Sequence, residues 1–292
     1  MTVAALRRVL PARLLVQRAE ARGAAAWDAS PAEREQALAT IEAIVGATPR
    51  AEELEQLARQ HLIDQEAHSA LFWLPWKMPS MDRASIEHVR AALSSGRGVL
   101  ASSCHLGPIF LHIWPLSEMR TANVVSGPWF FEEPTPDAWG RRLARWRKQL
   151  ERRDERLLSS AGVFAQASAL LEQGELVIMY FDMPGSRRTQ FLGKPVMLAT
   201  GTARLAVATD ALVLPVRARR EGHRVWSDAQ APLDPRDFSG HEQLQDALAG
   251  AHERWILERP SALEDPNRHG AWEGGASVRE WARPAEPSHG RP

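Results

Sequence analysis

The seven-residue run Glu175-Leu-Val-Ile-Met-Tyr-Phe181 constrains the fold more than any other stretch of this chain. It is almost continuously apolar and has strand length, with no polar residue at alternate positions. That pattern belongs to a strand covered on both faces. Gly98-Val-Leu-Ala-Ser-Ser-Cys104, which follows a Gly-Arg-Gly turn signal, and Leu212 to Val216 read the same way. Thr121 to Val125 and the residues from Val225 onwards add shorter strands. Between them lie helical patterns: Arg141 to Leu158, with Leu143, Trp146, Leu150 and Leu157 on one stripe, then Gln166 to Glu172 and Thr200 to Ala208. Buried strands alternating with amphipathic helices specify an α/β sandwich.

Residues 1–93 read as a helical N-terminal segment packing on a core of residues 94–260. Ser30-Pro-Ala-Glu33 is a capping box with proline at the first helical position, followed by an apolar face of Ala37, Leu38, Ile41, Ile44 and Val45. A second helix runs from about Ala51 through Ile63, until the aromatic and proline-rich segment Phe72 to Pro79 breaks it. A third covers roughly Asp82 to Leu93. Leu6, Leu10 and Leu14 recur at helical spacing among arginines, a pattern that suits a helix packed on the domain or one lying on a membrane surface; Pro11 interrupts it in either case. Past Pro260 the composition turns to Pro, Gly, Arg and Glu, so 261–292 reads as an extended tail.

With 36 basic and 36 acidic residues the formal charge is zero, and no global field favours a nucleic-acid partner. One cysteine rules out an internal disulfide framework and fits a reducing, cytoplasmic setting. No stretch reaches the ~20 apolar residues of a membrane span. No nucleotide loop and no metal-ligand spacing is present.

Three stretches carry chemistry. The first is Ala101-Ser-Ser-Cys-His-Leu-Gly-Pro-Ile-Phe110, where a buried strand ends in a histidine. Cys104 and His105 are neighbours on a strand and point to opposite faces, so they do not form a nucleophile pair. The second is Tyr180 to Thr189, where a strand delivers Asp182 to its carboxyl end and a Pro-Gly turn presents Arg187 and Arg188, whose guanidinium groups match phosphate or carboxylate oxygens. The third is Phe191-Leu-Gly-Lys-Pro195 and the helix start at Thr200-Gly201, where unpaired amides attract an anion. Taken singly, each is also explained by an ordinary turn or a capped helix.

Their order resembles the lysophospholipid acyltransferase superfamily, in its branch of bacterial lipid A lauroyl and myristoyl acyltransferases and phosphatidylinositol mannoside acyltransferases. Leu93-Ser-Ser-Gly-Arg-Gly-Val99 matches that branch's lead-in, and His105-Leu-Gly-Pro-Ile-Phe110 stands at its histidine motif. Leu171-Glu-Gln-Gly174 with Asp182, Phe191-Leu-Gly-Lys-Pro195, Thr200-Gly-Thr-Ala-Arg-Leu-Ala206 and Leu212-Val-Leu-Pro-Val216 follow in the same sequence, and Glu253-Arg-Trp-Ile256 resembles its closing helix. The resemblance spans roughly residues 50–260. It implies a central mixed β-sheet flanked by helices, with no bound cofactor. The implied donor is an acyl-CoA or acyl carrier protein thioester, and the acceptor is a lipid, glycolipid or secondary-metabolite hydroxyl or amine. His105 would be the general base and Asp182 its partner. Gly107, Arg187, Arg188, Lys194, Thr200 and Gly201 would bind substrate. Peripheral contact with the inner face of a membrane is compatible with it.

The chain departs from the family at two points. Its signature is histidine, four residues, then Asp or Glu; here Phe110 stands where the acid belongs. The Tyr-Arg pair that usually follows the next strand is replaced by Ser126-Gly-Pro-Trp129. A carboxylate from another element would restore the chemistry, with Asp182 first and Glu132 or Glu133 next. Without one, a catalytically silent or repurposed member that binds lipid or carrier protein, or hydrolyses thioesters, is the alternative. Arg141 to Arg156, with eight basic and three acidic residues, offers either a solvated face or a dock for an acidic carrier.

Overall fold

The computed structural model describes residues 11–72, 74, 79–132, 138–151 and 155–266. The central layer is a six-stranded sheet in the order β3-β2-β4-β1-β7-β8. Its strands are β1 (Val99–Ser103), β2 (Ala122–Ser126), β3 (Arg156–Ser159), β4 (Leu176–Tyr180), β7 (Leu212–Glu221) and β8 (Arg224–Ala229). All neighbours pair in parallel except β7 and β8, which form an antiparallel hairpin at one edge. The sheet is therefore mixed, as expected.

Because β1 and β4 lie inside the sheet, both of their faces must be covered, and every residue of β1 is buried. On one face Val99, Ala101, Leu176 and Ile178 pack with Val16 of α1 (Ala12–Ala29), Leu71 of α3 (Leu54–Phe72) and Val89 of α4 (Arg83–Leu93). Trp114 of α5 (Ile113–Met119) and Trp146 of α6 (Ala138–Glu151) join them, their rings stacked at 4.8 Å. On the other face Leu100 and Val177 meet Leu171 of α7 (Val163–Glu172) and Leu205 of α8 (Gly201–Thr209), while Val213 meets α2 (Pro31–Val45) and α9 (His241–Glu258). Each buried Val, Leu or Ile among them contributes about 1.5–3 kcal/mol by leaving water.

Local signals set the helix starts. The Ser30 hydroxyl accepts the Glu33 N–H at 3.3 Å, and Asp82 caps α4 by accepting the Ser85 N–H at 2.7 Å. Pro11 stands at the N-cap of α1, so it begins a helix there. Leu14 is half exposed, and the leucines before it lie outside the described residues. α3 runs to Phe72, the first residue of the aromatic and proline-rich segment expected to break it.

Three expectations are corrected. The helix read over Arg141 to Leu158 ends at Glu151, and Leu157 and Leu158 belong to β3, a short strand whose pairing with β2 outweighs the helical spacing of its leucines. The Pro-Gly turn at residues 184–185 opens a strand instead: β5 (Pro184–Phe191) and β6 (Lys194–Leu198) make a separate antiparallel hairpin. Leu192 and Gly193 form its two-residue loop, both with positive φ (54° and 76°), as a type I′ turn requires. The expected tail boundary at 261 falls inside a packed turn, since Pro260–Ala262 and Leu263 are buried.

Gly193 carries a second constraint, because a Cβ there would lie 2.0 Å from the Ala47 carbonyl oxygen. Gly193→Ala should therefore cost at least ~1–2 kcal/mol from the left-handed backbone alone, and more from the clash. A urea unfolding curve of the purified variant measures the loss.

Candidate active site

β1 and β4 run parallel in one-to-one register, with Ser103 opposite Tyr180. The Phe181 N–H donates to the Ser103 carbonyl just past the strand ends. Two residues further on each chain, the same register sets His105 against Asp182. The Asp182 carboxylate grips it at two points. Oδ2 accepts the His105 backbone N–H at 2.8 Å, and Oδ1 accepts the ring Nδ1–H at 2.9 Å. Asp182 is 5% exposed, so the contact is scarcely screened by water.

Burial pushes the His105 pKa down, but the charge and hydrogen bond of Asp182, aided by Glu264, outweigh it, and the net shift is upward from 6.5. The imidazolium form is thus stabilised where it would be needed. With Nδ1 donating to the carboxylate, Nε2 is the ring nitrogen that can take a proton. Tyr180 stacks on the ring at 4.4 Å and 21°. His112 meets Tyr180 edge-on, and burial first, then the positive charge on His105, hold His112 neutral with a pKa of about 3.

Phe110, at the motif-acid position, has a left-handed backbone (φ 66°) and is buried. Its ring packs among Phe72, Phe130 and Trp146 and stands edge-on to Tyr180 at 6.0 Å. The missing acid has been replaced by a hydrocarbon support for the ring that supports His105. Glu132 is exposed, and Glu133 lies outside the described residues.

The remaining site residues fall into groups. Gly107 shares the His105 loop, but its N–H donates to the Ala262 carbonyl at 2.9 Å, and a Cβ there would lie 2.0 Å from the Ala218 oxygen. Its role in the structure is close approach to β7. Arg187 is held by Asp246 and the Glu242 carbonyl of α9, both at 3.0 Å. Arg188 is exposed on β5 and Lys194 is half-buried at the start of β6. Thr200 stands at the N-cap of α8 without a side-chain cap bond, and Gly201 faces Met179. Met179 and Tyr180 point to opposite faces of β4, so this helix start lies across the sheet from the His105 ring. The structure thus brings together His105 and Asp182, with Gly107 in the same loop.

Burial, followed by the nearby Asp182 charge, raises the Cys104 thiol well above its usual value, in keeping with a small core hydrophobe. Among the described residues no group of three or more His, Cys, Asp and Glu side chains could hold a metal ion. Sequence reasoning missed Tyr180, although it is the chain's single tyrosine and stands two residues before Asp182 on the same face. It also missed Glu264, whose N–H donates to the His105 carbonyl at 2.9 Å; nothing in the local pattern marks that residue.

Two outcomes follow from this geometry. Because the folded His105 pKa is raised, its protonated ring stabilises the fold below about pH 6.5, and that contribution disappears as pH rises through the folded value. The stability gap between wild type and Asp182→Asn should therefore be wider at about pH 5.5 than at pH 9, as read by urea unfolding. Phe110→Glu should not restore a motif acid. It places an unpaired charge among aromatic rings and should cost about 3–5 kcal/mol, measured the same way.

Among the described residues no helix is long and apolar enough to cross a membrane. No curated protein matches the chain. Among solved structures, the 1-acyl-sn-glycerophosphate acyltransferase PlsC of Thermotoga maritima is similar at 16% identity and a TM-score of 0.40, over 84% of this chain and 95% of that one. Residues 1–262 match the family model of the bacterial lipid A biosynthesis acyltransferases. The chain belongs to that family.

Proposed function

We propose that this protein transfers an acyl group from a thioester donor, an acyl-CoA or an acyl carrier protein, to a hydroxyl or amine of a lipid or secondary-metabolite acceptor. The observation that supports this reading is the two-point grip of Asp182 on His105. It supplies from β4 the orienting carboxylate that Phe110 cannot provide.

In the reaction His105 Nε2 removes the acceptor proton as the acceptor oxygen or nitrogen attacks the thioester carbonyl. Asp182 stabilises the imidazolium that forms. As the tetrahedral intermediate collapses, the C–S bond breaks and His105 returns the proton to the leaving thiolate. The products are the acylated acceptor and a free thiol, with no net proton change.

Arg188 and Lys194 on the β5–β6 hairpin are assigned to an anionic part of donor or acceptor; the Thr200-Gly201 helix start, across the sheet from the His105 ring, takes no part in that assignment. Arg187, tied to Asp246, serves to seat that hairpin on α9. α6 carries five basic residues and one acidic one, a net of +4 over Ala138–Glu151, which suits an acidic carrier protein.

Mass-spectrometric detection of acyl transfer tests the proposal, using acyl-CoA and acyl-carrier donors with a panel of acceptors. Wild type should turn over, and His105→Ala should fall to background. Asp182→Asn should lose up to about 10⁴ in rate, the loss that follows when a histidine base is deprived of its carboxylate. Since the base works only when neutral, the acidic limb of the wild-type rate should lie above pH 6.5 and move to lower pH in Asp182→Asn. Undiminished turnover in His105→Ala sinks the assignment.

A further inference from the structure

Residues 259–264 leave the end of α9 and cross the back of the His105 loop. Arg259 Nη2 and Nε donate to Asp64 at 2.7 and 3.1 Å, and the Ser261 hydroxyl donates to the same carboxylate at 2.8 Å. His61 Nδ1 donates to the Ser261 carbonyl at 3.0 Å, and Gln65 Nε2 donates to that of Leu263 at 3.2 Å. One helix, α3, thus holds the segment along its whole length. Beyond these anchors the segment pairs with the loop: Leu106 bridges Leu263, Gly107 donates to Ala262, and Glu264 donates to the His105 carbonyl.

We propose that residues 259–264 form a positioning strap for His105, whose placement is set by the buried carboxylate of Asp64. The inference rests on the reading of His105 as the base and assigns Asp64, Arg259 and Ser261 to the same reaction as positioning residues.

Three observations carry it. Asp64 is fully buried, and it also accepts Arg220 Nη2 at 2.8 Å and Gln60 Nε2 at 3.1 Å, so partners from α3, β7 and the strap meet on one carboxylate. Burial alone would raise its pKa. The bonds from Arg259 and Ser261, with the charges of His68 and Arg259, instead hold it well below the usual carboxylate range, so it stays ionised. A buried ion network is costly to desolvate, and fixing register is its best-attested use. Finally, His105 is held at both main-chain polar atoms, its N–H by Asp182 and its carbonyl by Glu264. The strap is therefore one of two clamps on the backbone that aims the ring.

The groups facing the ring are Asp182 at the end of β4, Tyr180 on β4, His112 ahead of α5 and Glu264 on the strap. Of these only Glu264 rides on the strap, and its charge raises the His105 pKa. A displaced strap should thus move the His105 titration downward, a signature that general destabilisation lacks.

The experiment uses the full chain and the variants Ser261→Ala and Arg259→Lys, with Ile44→Val, a core change outside the strap, as the comparison for stability. His105 is followed by ¹⁵N imidazole NMR over pH, its resonances assigned by their loss in His105→Ala. In both strap variants the titration should shift to lower pH, and kcat should fall roughly tenfold to a hundredfold with little change in KM, as misaimed catalytic groups produce. Ile44→Val should change neither. Strap variants that melt lower yet keep the wild-type titration overturn the proposal. The NMR needs no substrate, so absence of turnover in wild type would discard the acyltransferase reading while the strap was still decided. Asp64→Asn should show the larger shift; if it does not fold, the two milder variants give the answer.

Discussion

The parallel register of β1 and β4 is the constraint on which the rest depends. Two strands far apart in sequence are held residue against residue by backbone bonds, and two residues past their ends stand a histidine and an aspartate separated by 77 positions. A slip of two residues in either strand would keep the hydrophobic faces correct and lose the pair. The buried side chains of β1 and β4 on both faces resist such slips. Core packing and chemistry are thus one requirement here.

Around that pair the environment is apolar where the family has a carboxylate. Phe110 is strained, since a bulky residue at positive φ costs on the order of 1–3 kcal/mol. Four aromatic neighbours hold it there. The arrangement places aromatic rings on one flank of His105, while the carboxylate of Asp182 meets its Nδ1. Neutral His112 completes this flank without adding a competing charge. The family relationship supports an acyltransferase, and the carboxylate that meets His105 follows β4 while Phe110 stands at the motif-acid position.

Much of this was legible in the sequence because it is encoded locally. The Ser30 cap, the buried strands β1, β4 and β7 and the histidine and aspartate that follow β1 and β4 are read from neighbours a few positions away. The pairing of His105 with Asp182 needed in addition the register that sets Ser103 against Tyr180, which the sequence does not spell out. What escaped depends on distant partners. β3 is four residues long and exists because β2 offers it an edge. The β5–β6 hairpin is rich in polar residues and takes its turn from Leu192-Gly193, while Arg187 looked like a ligand until Asp246 of α9 was seen to hold it. Asp64, Ser261 and Glu264 have no local signature, since their meaning lies entirely in who meets them.

The network on Asp64 also bears on how the protein is made. Ser261 and Asp64 are 197 residues apart in sequence, and the strap begins only after α9. During vectorial synthesis all strands from β1 through β8 leave the ribosome with the His105 carbonyl lacking its Glu264 donor and Asp64 lacking two of its partners. Long-range closures of this kind are slow, because the loop entropy must be overcome before the contact is gained. The nascent chain therefore carries both halves of the pair well before it carries the clamp that aims them, and maturation of the site is a late event, coupled to release of α9 and the turn that follows it.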